Sequence, residues 1–367
     1  MEHRKLGSFS EMKYGRMPDK KKLLDKGKYP VFSGYRIVGY YDECNIDKQE
    51  LIVVARGVGG TGDVKLSPGA CFLTNLSIAV IVDESIALKE YLYYYFQINN
   101  LRYLDSGSAQ SQITIADLKN VVVPIPPLDQ QRKVVEILSR YDEKIDVNNK
   151  INDNLQQQAL VIFQQEFLRE GELPDGWTSG SLLDIANYLN GLTMKKFRPA
   201  DSESGLPVLK IKELRQGSCD AGSELCSPSI KPEYIVHDGD VIFSWSGSLL
   251  VDLWCGGTCG LNQHLFKVTS DKYPKWFYYA WTAHHLARFV AIAADKATTM
   301  GHIKREELAK AEIVIPDAAS MERIGGILQP MYDLIISNRI ENRKLAALRD
   351  TILPQLMSGE LDVSDIT

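Results

Sequence analysis

The feature that most constrains this chain is an imperfect internal repeat. Residues 121–168 are repeated imperfectly at residues 312–361. Within these segments and just before them, six apolar or proline positions recur 190 residues later. The matched pairs are Ile113 and Ile303, Leu118 and Leu308, Ile125 and Ile315, Pro126 and Pro316, Ile137 and Ile327, and Leu138 and Leu328. A duplication has to be recognised before a fold class is assigned. The sequence therefore predicts two copies of one plan, a variable domain followed by a long helix.

The first copy predicts an unusually long helix. Residues 128–168 contain no Gly or Pro, and apolar residues recur about every 3.5 positions with one slip near Asn148, at Leu138, Tyr141, Ile145, Ile151, Leu155 and Ile162. Such a helix extends roughly 60 Å and needs a partner along most of its length. Because the chain returns through a second domain, we expect the two repeat helices to pair as an antiparallel coiled coil that acts as a spacer.

Asparagines cluster in the middle of this first helix, at Asn148, Asn149, Asn152 and Asn154. We interpret them as mostly solvated. The alternative is that some are buried in pairs, which would fix the register of the two helices.

The second repeat predicts a less regular helix. Gly325, Gly326 and Pro330 fall within its first turns, so we expect a bend or a short first helix before residues 331–353. Pro354 predicts the end of that helix.

Composition places the chain among ordinary globular proteins, with 367 residues, 44% hydrophobic and 24% charged. No run of 18 apolar residues and no secretory leader is present, so we expect a cytoplasmic protein that does not contact a membrane. Six cysteines are too few for a disulfide framework in a chain of this length. Cys219, Cys226, Cys255 and Cys259 do not follow a common zinc-ligand spacing, and we expect no metal site.

The net charge of −5 does not by itself indicate a nucleic-acid-binding protein, but the basic residues are unevenly distributed. Residues 1–36 hold ten Lys or Arg against four acidic residues. The opening of the second half holds Lys195, Lys196, Arg198, Lys210, Lys212 and Arg215 against three acidic residues. Either cluster alone is typical of a solvated surface, but their equivalent placement in two repeats favours a surface that contacts phosphates.

Each variable domain reads as a compact α/β unit. In the first, strands are predicted at residues 51–56, 79–82 and 120–126 and a helix at 90–104. The second repeats this plan with strands at 240–247, 264–268 and 311–316 and a helix at 275–291. Polar loops at residues 106–112 and 296–302 lie at matched positions, and their side chains suit contacts to base edges and phosphates.

A glycine-rich segment, GVGGTG at residues 57–62, matches the dinucleotide-binding fingerprint by letter only. That function requires a helix at the third glycine, and Pro68-Gly69 soon afterwards prevents one. We expect instead a loop that lets the backbone approach another surface. The sequence also lacks a GxxxxGK[ST] loop, an NPPY or DPPY tetrapeptide and an HExxH pair, so no catalytic residue is assigned.

Three segments in this order give the chain a resemblance to a known family: VPIPPLDQQRKVVEILSRYDEKID before and within the first helix, LPDGW at residues 173–177, and LRDTILPQLMSGEL at residues 348–361. With two unlike α/β domains and two long helices, the whole chain resembles the specificity subunit of type I restriction-modification systems. The glycines and proline of the second helix depart from a regular version of that helix.

This resemblance implies a non-catalytic subunit that binds double-stranded DNA. Each domain would be a target-recognition domain that reads one half of an asymmetric bipartite site, and the helices would set the gap and dock two methyltransferase (modification) subunits. S-adenosylmethionine would bind the methyltransferase, and ATP and Mg would bind a separate restriction and translocation subunit, so that no cofactor binds this chain. The implied domains are residues 1–125 and 171–316, and the implied helical regions are residues 126–170 and 317–367.

The candidate DNA-binding residues combine local charge, loop position and repeat equivalence. They are Lys13, Arg16, Lys20, Lys21, Lys22, Arg36, Arg56, Gln110, Gln112, Lys195, Lys196, Arg198, Lys210, Lys212, Asn262, Gln263, His302 and Lys304. Two alternatives remain open at this point. One is a coiled-coil adaptor that joins two protein-binding modules without nucleic acid, and the other is a small-molecule enzyme that uses the glycine-rich loop.

Overall fold

A computed structural model describes residues 2–57, 60–105, 112–169, 171–295 and 303–361. It divides into two compact units, of which unit 1 comprises Met1–Glu143 with Ala346–Thr367 and unit 2 comprises Lys144–Leu345. Each unit thus takes one end of both long helices. Because this division cuts through the helices, the domain boundaries expected from the sequence stay a prediction.

Unit 1 combines three small sheets with short helices and the ends of the long ones. Its strands are β1 (Glu2–Lys5), β2 (Ser10–Tyr14), β3 (Tyr29–Phe32), β4 (Ile37–Tyr41), β5 (Leu51–Val54), β6 (Val64–Leu66), β7 (Phe72–Leu73), β8 (Ser77–Val82) and β9 (Val122–Ile125). Its helices are α1 (Lys89–Ile98), α2 (Ile115–Lys119) and the first part of α3 (Leu128–Phe167). The sheet orders are β1-β9, β2-β8-β5-β6 and β4-β3-β7.

Unit 2 repeats this arrangement with its own strands. They are β10 (Thr178–Ser181), β11 (Asn187–Asn190), β12 (Leu206–Leu209), β13 (Leu225–Cys226), β14 (Ile235–Val236), β15 (Val241–Ser244), β16 (Leu250–Leu253), β17 (Cys259–Leu261), β18 (Leu265–Thr269) and β19 (Glu312–Ile315). Its helices are α4 (Leu182–Ile185), α5 (Ile211–Gln216), α6 (Lys275–His284), α7 (Leu286–Asp295), α8 (Arg305–Ala309) and most of α9 (Ala318–Ser358). The sheet orders are β10-β19, β11-β18-β15-β16 and β13-β12-β17-β14.

The two units therefore share one topology: a two-stranded sheet, an antiparallel four-stranded sheet, and a third sheet that contains one parallel pair and has three strands in unit 1 and four in unit 2. This confirms the predicted mixed α/β class and the duplication. The helix predicted over residues 275–291 is two helices, α6 and α7, that meet at His285. The strands of this third sheet were not predicted in either unit, because segments of two to five residues carry too little periodicity.

The long helices pair in antiparallel fashion within each unit, which confirms the predicted coiled coil. In unit 2, the Asn338 amide donates to Asn152 Oδ1 at 2.9 Å, and Arg323 makes a bidentate ion pair with Glu166 at 3.0 and 2.8 Å. Partner numbers on α9 thus fall as numbers on α3 rise. In unit 1, Arg349 pairs with Asp142 in the same sense.

Two of the clustered asparagines are buried, so the solvated interpretation is wrong for them. Asn148 is 0% exposed and Asn152 is 4% exposed. The Asn148 amide donates to Glu341 at 2.7 Å and to Asn342 Oδ1 at 2.8 Å. Ile151, which the apolar pattern assigned to the seam, is exposed instead. The seam passes through polar residues because their hydrogen bonds are satisfied across the helix pair.

The predicted short first helix and the predicted helix end at Pro354 are wrong, since α9 continues from Ala318 to Ser358 through both prolines and both glycines. Its first turns bury Ile324 and Leu328 in the core of unit 2. Burial of such side chains stabilises by about 1.5–3 kcal/mol each, which offsets a proline cost of about 3 kcal/mol. A Cβ at Gly325 would lie 3.1 Å from Trp276 Nε1, so the glycine allows the helix to approach that ring.

The glycine-rich segment confirms the expectation of close backbone approach as far as it is described. A Cβ at Gly62 would lie 2.6 Å from the Arg102 backbone nitrogen, and Gly57 and Gly60 face the Tyr35 ring at similar distances. The next element is strand β6 rather than a helix. Among the residues that the structure describes, no helix is both long and apolar enough to cross a membrane.

Candidate nucleic-acid interface

Both domains contain the same backbone crossing, formed by five matched hydrogen bonds. It joins the segment after β2 or β11 to the loop before β8 or β18. In unit 1 the bonds run from Gly15 N to Ser77 O (3.0 Å), Arg16 N to Leu73 O (2.9 Å), Asn75 N to Arg16 O (3.0 Å), Ser77 N to Thr74 O (3.2 Å) and Thr74 N to Phe32 O (3.0 Å). In unit 2 they run from Gly191 N to Leu265 O (3.0 Å), Leu192 N to Leu261 O (2.9 Å), Gln263 N to Leu192 O (2.9 Å), Leu265 N to Asn262 O (3.0 Å) and Asn262 N to Leu209 O (3.2 Å).

A glycine makes each crossing possible. A Cβ at Gly15 would lie 2.1 Å from Thr74 O, and a Cβ at Gly191 would lie 2.3 Å from Asn262 O. These distances exclude any side chain, because a backbone carbonyl occupies the space. The crossing therefore fixes equivalent loops, residues 74–76 and 262–264, which we name the crossing loops.

The crossing loop of unit 2 lines a groove of about 590 Å³. The groove brings together five of the residues proposed from the sequence, namely Lys195, Lys210, Lys212, Asn262 and Gln263. Its other lining residues include Thr193, Glu224 and His264, which sequence reasoning missed. The groove combines cations, amides and a histidine on one concave surface, which suits contacts to both phosphates and base edges.

Hydrogen bonds between side chains order the wall of this groove. The Thr193 hydroxyl donates to Gln263 Oε1, and Gln263 Nε2 lies 3.2 Å from His264 Nε2. His264 Nδ1 lies 3.0 Å from Ser246 Oγ. Asn262 is 8% exposed, and its Oδ1 accepts a hydrogen bond from the His264 backbone N–H. This buried side chain therefore stabilises the conformation of the crossing loop.

Carboxylates hold several of the cations around the groove. Glu224 accepts from Lys210 at 2.7 Å and lies 3.3 Å from Arg198, while Lys212 pairs with Asp220 at 3.1 Å. The hydrogen bond from Lys210, with the nearby charges of Lys210 and Arg198, lowers the pKa of the Glu224 carboxyl. Glu224 is therefore ionised at neutral pH and competes with phosphate for both cations.

The basic residues of unit 1 have a different setting. Lys20, Lys21 and Lys22 form an exposed single turn of 3₁₀ helix, whose first N–H groups are capped by Asp19. The Lys13 ammonium donates to the Asn45 carbonyl at 3.2 Å, and Arg16, Arg36 and Arg56 are exposed. Within the described ranges, none of these seven side chains forms an ion pair with a carboxylate.

The remaining candidates lie apart from the groove or beyond the described residues. Gln112 is half-buried just before Ile113, and Lys304 is exposed at the start of α8. Lys196 and Arg198 are exposed beside the groove but do not line it. Gln110 and His302 lie outside the residues that the structure describes. For all of these residues, a role in DNA binding stays a prediction.

The cysteines give no second candidate site. All six are free thiols, and burial raises the pKa of Cys71 and Cys255 to about 11, as expected of packed, unreactive groups. Among the described residues, no group of three or more His, Cys, Asp or Glu side chains is placed to hold a metal ion.

Comparison with known proteins agrees with this architecture. The family model described as "Type I restriction modification DNA specificity domain" matches residues 1–157 and 174–348. The MjaIX specificity subunit of a type I restriction enzyme from Methanocaldococcus jannaschii is 24% identical over 353 residues, which cover 88% of this chain and 81% of that protein. The EcoKI specificity subunit from Escherichia coli K12 is 29% identical over 185 residues, covering 46% and 38% of the two chains.

A solved structure gives the same fold over nearly the full length. The crystal structure of the S subunit of a type I restriction-modification system from M. genitalium superimposes with a TM-score of 0.61 at 18% sequence identity, covering 97% of this chain and 95% of that one. Two mixed α/β domains and an antiparallel helix pair define the class of molecule. Since the family model matches most of its length, the chain belongs to the type I restriction-modification DNA specificity family.

Proposed function

We propose that this chain is the DNA-reading subunit of a type I restriction-modification complex, in which each domain reads one half of an asymmetric bipartite site. The observation that carries the proposal is the repeated crossing loop. One backbone frame occurs twice in the chain, and it presents Asn75 in one domain and Gln263 with His264 in the other. Like frames with unlike side chains are what two half-sites of different sequence require.

The basic surfaces support contacts to the DNA backbone. Neutralised phosphates supply affinity that does not depend on sequence, and contacts to base edges supply specificity. The net charge of −5 implies that the chain alone binds DNA weakly, and that partner subunits enclose the duplex in the complex. Both halves are read from one face of the duplex.

The helix pair is proposed to set the gap between the half-sites. Within unit 2, Asn148, Asn152, Asn338 and Asn342 hold α3 and α9 in a single register through buried or half-buried hydrogen bonds. A shift of one helix would leave these amides without partners, which costs about 1–3 kcal/mol for each buried group. A spacer with one register gives one spacing.

The helices also offer a surface for two methyltransferase subunits, through exposed apolar residues such as Leu160, Val161, Leu334 and Leu348. In this proposal the chain itself performs no catalysis. Methyl transfer from S-adenosylmethionine occurs on the methyltransferase subunits, while cleavage and translocation with ATP and Mg occur on a separate restriction subunit. No observation favours the adaptor alternative, because the family match concerns DNA specificity. No observation favours the nucleotide-binding alternative either, because a strand and not a helix follows the glycine-rich loop.

The proposal is tested by mapping methylated adenines across the genome of cells that express the chain with the modification subunit of its own system. We expect a motif with two unlike halves separated by an unread gap, present only when the chain is expressed. The control is the modification subunit alone. Methylation that does not depend on the chain, or a single uninterrupted motif, would contradict the proposal.

A further inference from the structure

The Gln263 side chain has a hydrogen-bonding capacity that its neighbours only half use. A carboxamide carries two N–H donors and two carbonyl lone pairs. The Thr193 hydroxyl takes one lone pair of Oε1, and His264 Nε2 takes one N–H of Nε2 at 3.2 Å. One donor and one acceptor remain, and both lie in the amide plane.

The neighbours also hold the amide in place. Gln263 Nε2 lies 3.2 Å from His264 Nε2, and His264 Nδ1 lies 3.0 Å from Ser246 Oγ. When Gln263 Nε2 donates to His264 Nε2, the imidazole proton lies on Nδ1 and donates to Ser246 Oγ. The chain of hydrogen bonds from Thr193 through Gln263 and His264 to Ser246 therefore contacts both ends of the amide and restricts its rotation.

The remaining N–H donor and carbonyl acceptor of the Gln263 amide can pair with a particular base edge. In the major groove, adenine presents an acceptor at N7 beside a donor at N6. Guanine presents two acceptors, cytosine one donor, and thymine one acceptor with a methyl group. Adenine is therefore the only base that offers an acceptor and a donor on its own major-groove edge, and a carboxamide can bond with both at once.

The surroundings of Gln263 fit this role. Its backbone N–H is bonded to Leu192 O, so the loop is held by the crossing before DNA arrives. The Lys195 and Lys212 side chains line the same groove, where they can contact the phosphates on either side of a base. Preorganised side chains beside cations are the arrangement that base readout needs.

The equivalent position in the first domain is Asn75, which also carries a carboxamide. The backbone N–H of Asn75 donates to Arg16 O in the matched hydrogen bond of the crossing. Its side chain is half-buried and makes no hydrogen bond within the described part of the chain. The same frame thus presents an amide in both domains, and only the second amide is held by hydrogen bonds to neighbouring side chains.

We infer that Gln263 reads one adenine of the half-site recognised by the second domain, through its Oε1 and Nε2 atoms, and that Asn75 occupies the corresponding base-reading position of the first domain. This inference rests on the proposed function, because it assigns a base contact within the bipartite site. Thr193, His264 and Ser246 are positioning residues that act through Gln263.

The test uses the full chain with its modification subunit and compares genome-wide maps of methylated adenines for the wild type, Gln263→Leu and Gln263→Glu. In Gln263→Leu we expect one A·T position of one half-site to become tolerant, with the preference for adenine falling about 5- to 150-fold. In Gln263→Glu, the carboxylate only accepts, so the same position shifts toward cytosine, whose N4 donates. Asn75→Leu is the matched variant and should alter the other half-site alone.

The outcomes separate this inference from the proposed function. If the wild type yields no motif with two halves, the proposed function is wrong. If the wild type yields such a motif and both Gln263 variants keep every position of it, the base assignment is overturned while the function stands. Changes in both halves from Gln263→Leu, or loss of all methylation by two variants that melt like the wild type, would also overturn the assignment.

Thr193→Val tests whether the hydrogen bond from Thr193 positions the Gln263 amide. This variant keeps Gln263 but removes the hydroxyl that donates to its Oε1. We expect a partial loss of adenine preference at the same position as in Gln263→Leu, with no change elsewhere. Preference equal to that of the wild type would contradict the positioning role of Thr193.

Discussion

The two domains share one backbone frame but hold their cations differently. In the first domain, Lys20, Lys21 and Lys22 are exposed without a carboxylate partner among the described residues. In the second, Glu224 holds Lys210 and Arg198, and a network of side chains orders the wall of a groove. The same backbone frame therefore carries two different arrangements of charge. From this difference we expect the first domain to contribute more of the affinity for phosphates, and the second domain to contribute more of the base-specific contacts.

The largest expected effect comes from filling the crossing itself. Gly15→Ala and Gly191→Ala each place a Cβ within 2.1 or 2.3 Å of a backbone carbonyl oxygen. We expect each to destabilise its own unit by about 3 kcal/mol, because overpacked sites cannot relax against backbone. The measurement is chemical denaturation of the purified chain.

The matched control for this pair is Gly326→Ala, a helical position where the added Cβ meets nothing within 4 Å. It should leave stability unchanged or raise it by about 1 kcal/mol. If the two crossing variants were as stable as this control, the shared frame would not be the constraint that it is taken to be.

The next effect concerns unequal phosphate contacts. Replacing Lys20, Lys21 and Lys22 together with Gln should reduce the slope of log affinity against log salt by about 2.7, since each phosphate contact contributes about 0.9. Replacing Lys195 and Lys196 should reduce it by about 1.8. Titrations of the assembled complex with its DNA site at several salt concentrations give these slopes.

The control for these two sets is the replacement of Lys210 and Arg198 with Gln, because Glu224 already pairs with both of these cations. We expect almost no change in slope, because these side chains neutralise a carboxylate rather than phosphate. If all three sets of variants reduced the slope of log affinity against log salt equally, the basic surfaces of the two domains would not differ in their phosphate contacts.

A smaller effect concerns how the second domain is held to α9. Arg343 makes a bidentate ion pair with Asp238, with both N–O distances at 2.7 Å, and this hydrogen bonding lowers the pKa of the Asp238 carboxyl. A lowered folded-state pKa contributes stability above the unfolded pKa, and that stability is lost as pH falls through the folded value. Asp238→Asn should therefore cost about 1.5 kcal/mol at pH 7.

The pH dependence is the check on this ion pair. The difference in free energy of unfolding between wild type and Asp238→Asn should shrink as pH drops below about 4, the ordinary range of an aspartate. A difference that stays constant down to pH 3 would show that the loss comes from packing rather than from charge.

The smallest effect is a gain. Glu224→Gln keeps the shape of the side chain and removes the charge that holds Lys210 and Arg198. We expect affinity for DNA of unrelated sequence to rise about 3- to 10-fold at low salt, since up to two more cations become available to phosphate. Binding to unrelated duplexes by fluorescence anisotropy measures this, and unchanged or weaker binding would count against competition by Glu224.

Much of the architecture follows from the sequence, because burial leaves a periodic pattern. The register of 190 residues links Ile113 with Ile303 and Leu118 with Leu308, and all four are buried at equivalent places. The crossing loops were not aligned from sequence. Gly15 matches Gly191 at a spacing of 176 and Asn75 matches Gln263 at 188, since the intervening loops differ in length. Their equivalence lies in backbone hydrogen bonds, which leave no mark on the spacing of side chains.

The errors have a common physical cause as well. Propensity and hydrophobicity assigned Asn148 to solvent and Ile151 to the seam, and allowed a short separate helix before residue 331. Tertiary contacts outweigh both, since Asn148 finds partners on α9 and the first turns of α9 are buried against the core of unit 2. Among the groove residues, Lys195, Lys210 and Gln263 were predictable from charge and loop position. Glu224 and Thr193 were not, because their roles arise only when distant segments meet.

The central claim, that each domain reads its own half-site, is tested most directly by exchanging residues 172–310 for the corresponding segment of another specificity subunit and mapping methylated adenines. The helices and the first domain stay unchanged in this chimaera. We predict a new second half-site, with the first half-site and the gap retained. A map in which both halves change, or in which neither changes, would contradict it.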